Sequence, residues 1–256
     1  MSGILREGPV LAGPAPLADT PGRYRFLLLP LLLLLIAGLL AWKLWPEPDP
    51  PAAAAAAPEA TQLKDRVLTG PRGPSCIRLV VGLDVSGSMR EFATARDTAL
   101  AQLIAWSKKN LRPDDELAVV DFAADAAVRT RPATRDRLSG VGVEAGANDG
   151  RYTYLEPALA AVDGFAAGRC DTELVLISDA QLADLPLTPA AGQDLQLRHH
   201  IHDVRLLVPG DNVDVPQAWT LGFPEAPPTR FDGTDPDATA NAFGQAIAGF
   251  TGQRLK

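Results

Sequence analysis

Asp84-Val85-Ser86-Gly87-Ser88 places one carboxylate and two hydroxyls at alternate positions just past the apolar run Ile77 to Leu83. Hard cations such as Mg²⁺ choose all-oxygen ligands of this kind and keep some coordination positions open to water or a partner. Three oxygens leave such a site incomplete, and two later segments can supply more. Leu174 to Asp179 is a second short apolar, β-branched run ending in an acid, and Arg151-Tyr152-Thr153-Tyr154-Leu155-Glu156-Pro157 sets one Thr ahead of a helical pattern. The pentapeptide alone is weakly specific. D-x-S-x-S arises by chance in roughly one chain in twenty of this length, and a turn whose Asp and Ser cap the following helix is the plain alternative.

The elements that must position these oxygens alternate in type. Ile77 to Leu83 carries a single Arg in an otherwise apolar run, as a central parallel strand covered on both faces would. Residues 89 to 109 present Phe92, Ala95, Ala99, Leu103 and Trp106 at helical spacing. Leu117 to Phe122 reads as a second strand and Ala126 to Thr130 as a weaker third. Leu155, Leu159, Val162 and Phe165 mark the next helix, with Pro157 in its first turn. After strand 174–178 come a poorly patterned helix over 190–201 and a strand from Val204 to Val208. Residues 211–228 are Pro-rich and without period. Asp235 caps a last helix with Phe243, Ile247 and Phe250 on one face. The fold class this predicts is α/β: a doubly wound, mostly parallel sheet with helices on both faces. Ligands of such sheets gather in the crevice beyond the carboxyl ends of the strands, where all three segments deliver their oxygens.

On these residues the chain resembles the von Willebrand factor type A (VWA) domains and the related integrin inserted domains, over roughly residues 74 to 252. Their metal-ion-dependent adhesion site (MIDAS) reads D-x-S-x-S, then a Thr before a helix, then an Asp closing an apolar strand. Asp84, Ser86, Ser88, Thr153 and Asp179 match it in order. The resemblance implies a divalent cation, Mg²⁺ first and Mn²⁺ or Ca²⁺ as alternatives. Ser86, Ser88 and Thr153 would supply hydroxyl oxygens, Asp84 and Asp179 would bind directly or through water, and a partner's carboxylate would fill the open position. It also implies that Ala126 to Thr130 is an antiparallel edge strand and that the strands ending in Asp84 and Asp179 are neighbours. Cys76 and Cys170, 8 and 9 residues before those acids, would then meet as a disulfide. Two buried free thiols are the alternative. Ala180 stands where Gly is common in these domains. Tyr152 and Tyr154 flank Thr153 where small or amide residues are usual, so their rings either narrow the metal face or offer a contact surface to a partner, unless one ring simply packs under the loop.

Phe26 to Trp45 is almost wholly apolar, and about twenty residues match a hydrocarbon core of about 30 Å. Arg23 and Arg25 before it, with Glu47 and Asp49 after it, place residues 1–25 in the cytoplasm and the remainder outside. A cleavable signal peptide is the competing reading, although signal cores usually run about 7 to 15 residues. Residues 46–73, rich in Pro and Ala, read as a linker to a VWA-like domain over 74–256. A net charge of −7 without a long Lys/Arg run argues against nucleic acid. His199, His200 and His202 form the sole histidine cluster, read as a solvated helix end rather than a zinc site. Ser86 lacks a nucleophile elbow, and no general base is evident. The expected function is therefore a membrane-tethered, non-enzymatic module that binds a divalent cation and, through it, an acidic group of a protein partner. A structural subunit with a purely stabilising metal, or a metal-assisted hydrolase, is the alternative.

Overall fold

Strand β2 (Ile77–Asp84) is buried at every position because it lies at the centre of a sheet covered on both faces. The computed structural model describes residues 62–140, 142, 151–165 and 168–256. The expected cytoplasmic segment 1–25, the membrane span 26–45 and linker residues 46–61 lie outside them. Among the described residues, no helix is long and apolar enough to cross a membrane.

The remaining strands are β1 (Leu68–Thr69), β3 (Glu116–Phe122), β4 (Ala126–Thr134), β5 (Asp171–Ile177), β6 (Asp203–Pro209), β7 (Thr229–Phe231) and β8 (Arg254–Leu255). Six of them form one sheet in the order β4-β3-β2-β5-β6-β7. All its pairings are parallel except β3–β4, so the expected antiparallel edge strand is present. Helices α1 (Ala93–Asn110), α2 (Glu156–Asp163), α3 (Pro189–Arg198), α4 (Gln217–Gly222) and α5 (Pro236–Thr251) connect the strands. This is the mixed α/β architecture the alternation predicts.

Period-two alternation divides β2 between two cores. Ile77, Leu79, Val81 and Leu83 face a cluster with Leu100, Leu103 and Trp106 of α1 and Phe243 and Ile247 of α5. Val80 faces the opposite cluster, with Leu159 and Val162 of α2, Leu195 of α3 and Trp219 of α4. Gly82 shares that second face, where a Cβ would lie 2.6 Å from Leu176 Cδ2. A larger residue there would make the Leu176 side chain shift. The parallel register aligns Leu83 with Asp121 and Ile177, which brings the carboxyl ends of the three central strands level.

Three segments depart from expectation. Residues 62–73, placed in the linker by their composition, pack onto the sheet-bearing unit. Leu63 is fully buried, Trp106 Nε1 donates to the Arg66 carbonyl at 2.8 Å, and β1 pairs antiparallel with β8. The signal is short because a single turn and two strand residues bury little. The first part of the predicted 89–109 helix is a 3₁₀ stretch, Gly87–Phe92, that becomes α-helical at Ala93. Within the aperiodic 211–228 stretch, α4 is only six residues long. Its anchor is the buried Trp219, whose Nε1 donates to the Ala226 carbonyl at 2.8 Å and whose ring meets Phe223 at 4.7 Å.

Cys76 and Cys170 form a disulfide with Cα atoms 4.8 Å apart, at the ends of β2 and β5 remote from Asp84. It closes a loop of 94 residues. In the chain-entropy account such a loop contributes up to about 4–5 kcal/mol. Reduction followed by alkylation is therefore expected to lower the unfolding free energy by several kcal/mol in equilibrium unfolding, and an unchanged value would contradict this.

Glu173, opposite Asp203 in the ladder, is 1% exposed. Its Oε1 meets His202 Nδ1 at 3.0 Å, while the buried Oε2 has no hydrogen-bond partner. Burial pushes its pKa up from 4.5 to about 7, the His202 charge opposing the shift and Asp203 adding to it. The folded state thus holds this proton where the unfolded chain releases it. Its contribution to stability is complete below pH 4.5 and is lost as pH rises through about 7. The loss is on the order of 3 kcal/mol. Glu173→Gln is expected to match the wild type near pH 4.5 and to exceed it at pH 8. Parallel stability–pH curves would contradict this.

Candidate functional site

Asp84 ends β2 fully buried, and each of its oxygens is engaged. Oδ1 accepts the Ser86 N–H at 2.9 Å, and Oδ2 accepts the Ser178 hydroxyl at 2.6 Å. Burial drives the carboxyl's pKa upward. The Ser178 hydroxyl, the Ser86 hydroxyl and the Ser86 N–H oppose it, and the negative Asp179 adds to the rise. These are dipoles and a like charge, so a cation beside Asp84 would relieve both its desolvation and its repulsion with Asp179.

The loop after Asp84 is held by its backbone. Val85 N donates to the Phe122 carbonyl at 2.9 Å, tying it to β3. Arg96, 2% exposed on α1, donates from Nη1 to the Asp84 carbonyl at 2.9 Å. The Ser86 carbonyl starts the 3₁₀ turn by accepting from Met89 N, which leaves the Ser86 and Ser88 hydroxyls 3.1 Å apart. Ser86 is buried and Ser88 exposed, so the pair runs from the interior to the surface.

Thr153 is buried and is placed by bonds to both flanking loops. Its carbonyl accepts from Ala183 N at 2.9 Å, and Tyr154 N donates to the Ala123 carbonyl at 2.9 Å. Asp184 then caps α2, with Oδ1 and Oδ2 accepting from Leu155 N and Glu156 N at 2.7 and 2.8 Å. A carboxylate at a helix N-terminus satisfies orphan donors and opposes the dipole. Tyr152 is 56% exposed, Tyr154 is half-buried, and their rings lie 6.4 Å apart. One ring therefore packs into the loop and the other faces outward.

Asp179, half-buried, follows β5, and its Oδ1 accepts from Gln181 N at 3.0 Å. Ala180 next to it is fully buried with φ 59, a left-handed conformation costing about 1–2 kcal/mol for a residue with a Cβ. Ala180 N donating to Ser178 Oγ at 2.9 Å and Leu182 N donating to its carbonyl at 2.8 Å hold it there. The glycine expected at this place would adopt that conformation freely.

The five predicted residues thus stand on three loops at one end of the sheet. Asp84, Ser86 and Ser88 are linked by hydrogen bonds, Asp179 acts on Asp84 electrostatically, and Thr153 is set by its backbone. Sequence reasoning missed Ser178, Asp184 and Arg96. Ser178 had a signal, its place at the end of the apolar run beside Asp179. The other two are polar residues on surrounding elements, with nothing in their spacing to mark them. The histidines go separate ways. His199, expected at a solvated helix end, is buried, with Nδ1 2.7 Å from Asp163 and Nε2 3.1 Å from Glu156. Both carboxylates belong to α2. Among the described residues no group of three or more His, Cys, Asp or Glu is placed to hold a metal. The Asp84 constellation has two carboxylates and relies on hydroxyls.

No protein-family model and no curated protein matches this chain. Among solved structures it is similar to the ArnB paralog VWA2 from Sulfolobus acidocaldarius, at 16% identity and a TM-score of 0.46, covering 69% of this chain and 46% of that one. It is similar to proximal thread matrix protein 1 of the mussel byssus, a structure with a zinc-occupied MIDAS motif, at 13% identity and a TM-score of 0.48, covering 68% and 48%. An aerotolerance-related membrane protein from Bacteroides fragilis overlaps 68% of this chain and 99% of its own, at 14% identity and a TM-score of 0.43. The chain thus spans about half the length of the first two.

Ser178→Ala would leave the buried Oδ2 of Asp84 without its donor. Such a loss costs about 1–3 kcal/mol, and urea denaturation should show it as a lower midpoint at unchanged slope. An unchanged midpoint would show that the hydroxyl does not hold this carboxylate.

Proposed function

We propose that this chain is a membrane-tethered VWA-type binding module that holds a divalent cation at the sheet end and uses it to grip an acidic group of a protein partner. The observation that carries this reading is the Asp84 carboxylate, fully buried, eased by hydrogen bonds from Ser178 and Ser86 and opposed by the negative Asp179. The donor set fits a hard divalent ion. Ser86, Ser88 and Thr153 offer neutral oxygens, Asp84 and Asp179 offer charge, and Mg²⁺ accepts such a set while keeping positions open. Two carboxylates roughly neutralise the ion, so a further anionic oxygen remains welcome. The exposed Tyr152 beside Thr153 supplies an apolar contact for whatever carries that oxygen.

Residues 26–45 would anchor the chain with its N-terminus in the cytoplasm and the domain outside the cell membrane, where the Cys76–Cys170 bridge persists. Catalysis and nucleic-acid binding have no part in this reading. The cation supplies an electrophilic anchor for an oxygen ligand. The protein's own residues fix the loops, exclude water from Asp84 and leave Ser88 at the surface.

Asp84→Asn separates function from folding. The amide keeps an acceptor for Ser86 N and removes a desolvated charge, so the metal-free full chain should be at least as stable as the wild type at pH 7. Calorimetric titration with Mg²⁺ or Mn²⁺ should show affinity at least tenfold weaker. At a cation concentration 100 times the wild-type Kd, the wild type should gain about 2.7 kcal/mol and the variant far less. Equal cation binding by both proteins would refute the proposal.

A further inference from the structure

Strand β4 borders the sheet, and its pairing with β3 is broken twice. Arg131 and Pro132 stand between Thr130 and Ala133, where β3 has only Ala118, and Arg129 is an extra residue between Val128 and Thr130. Bulges of this kind bend an edge strand and re-aim its side chains. Beside them lies a cavity of about 360 Å³, lined by Arg129, Thr130, Arg131, Arg137, Ser139 and Gly142 among others, with no acidic residue among the described residues of its wall. Gly142 approaches the strand so closely that a Cβ would lie 2.3 Å from the Arg129 carbonyl oxygen. The close approach of this backbone thus requires glycine.

The cavity's charge is uneven. Arg129 is held by both oxygens of Asp121, at 2.8 and 2.9 Å, and by Asp97 at 3.0 Å. Arg131 and Arg137 are exposed, and neither is ion-paired among the described residues. Thr130 Oγ1 is buried with no hydrogen-bond partner. In a chain of net charge −7, residues 129–137 carry four arginines against one aspartate. Charges on an edge strand also serve to block strand addition. That role accounts for an outward Arg131 but not for a buried, unpaired hydroxyl in a cavity lined by three arginines.

We propose that this edge cavity is an oxyanion site. It takes a carboxylate or phosphate group between the Arg131 and Arg137 guanidiniums, with Thr130 Oγ1 donating a hydrogen bond. Guanidinium forks suit either group, and the volume admits a ligand larger than the bare ion. The site is separate from the Asp84 constellation and does not depend on it.

The test is titration of the full chain, in detergent and at fixed ionic strength, with inorganic phosphate and with glutarate. Calorimetry and the arginine Nε resonances report binding. Saturable binding of either probe, weakened at least tenfold in the Arg131→Gln/Arg137→Gln variant at unchanged Tm, supports the site. Phosphate alone identifies a phosphoryl ligand, glutarate alone a carboxylate. No saturable binding of either, or binding kept by the double variant, overturns it.

Discussion

A carboxylate withdrawn from water at the end of the central strand is the constraint around which this domain is organised. Moving an ionised group into the interior costs several kcal/mol unless hydrogen bonds or opposite charge compensate. Asp84 is fully buried, and its compensation is partial, from one backbone N–H and the hydroxyls of Ser86 and Ser178. Asp179 makes matters worse through its like charge. A fold selected for stability alone would place an apolar side chain there. In the function proposed above, the arrangement is an anion held ready for a cation.

The rest of the structure serves that placement. A level parallel register across β3, β2 and β5 brings three loops to one end of the sheet. The interior beneath them is dry, since both faces of β2 are packed. Polar groups just outside the centre restrain the loops. Arg96 fixes the Asp84 carbonyl, Asp184 fixes the loop that carries Thr153, and the Arg129–Asp121 pair braces the ends of β3 and β4. At the opposite end the disulfide joins β2 to β5. The two strands that carry the acids are thus linked by a covalent bond at one end and by the Asp84–Ser178 bond at the other.

Much of this was legible in the sequence where burial leaves a pattern. The apolar runs 77–83, 117–122, 174–178 and 204–208 are all strands, because interior parallel strands must be apolar on both faces. Asp235 caps α5 through its side chain as its position predicts. The pairing of Cys76 with Cys170 came through the resemblance, which set their strands side by side. What the sequence hid has physical reasons. Trp219 anchors α4 over six residues, too few for a period to show. Residues 62–69 join the fold through contacts with the far end of the chain, since β1 pairs with β8. His199 is buried by carboxylates more than thirty residues away. The bulges at Arg129 and Arg131 depend on the register of β3, which local composition does not carry. At the candidate site, the oxygen-bearing residues and their order were read from the sequence, whereas Ser178, Asp184 and Arg96, which hold their loops in place, were not.

The central claim, that Asp84 is buried to serve a cation, is tested most directly by anomalous diffraction from crystals grown with Mn²⁺. The account predicts one strong anomalous peak at the end of β2, within coordination distance of the Ser86 and Ser88 hydroxyl oxygens, with Asp84 and Asp179 in its first or second coordination sphere. Well-ordered crystals at saturating Mn²⁺ with no peak there, or with the ion bound only elsewhere, would contradict it.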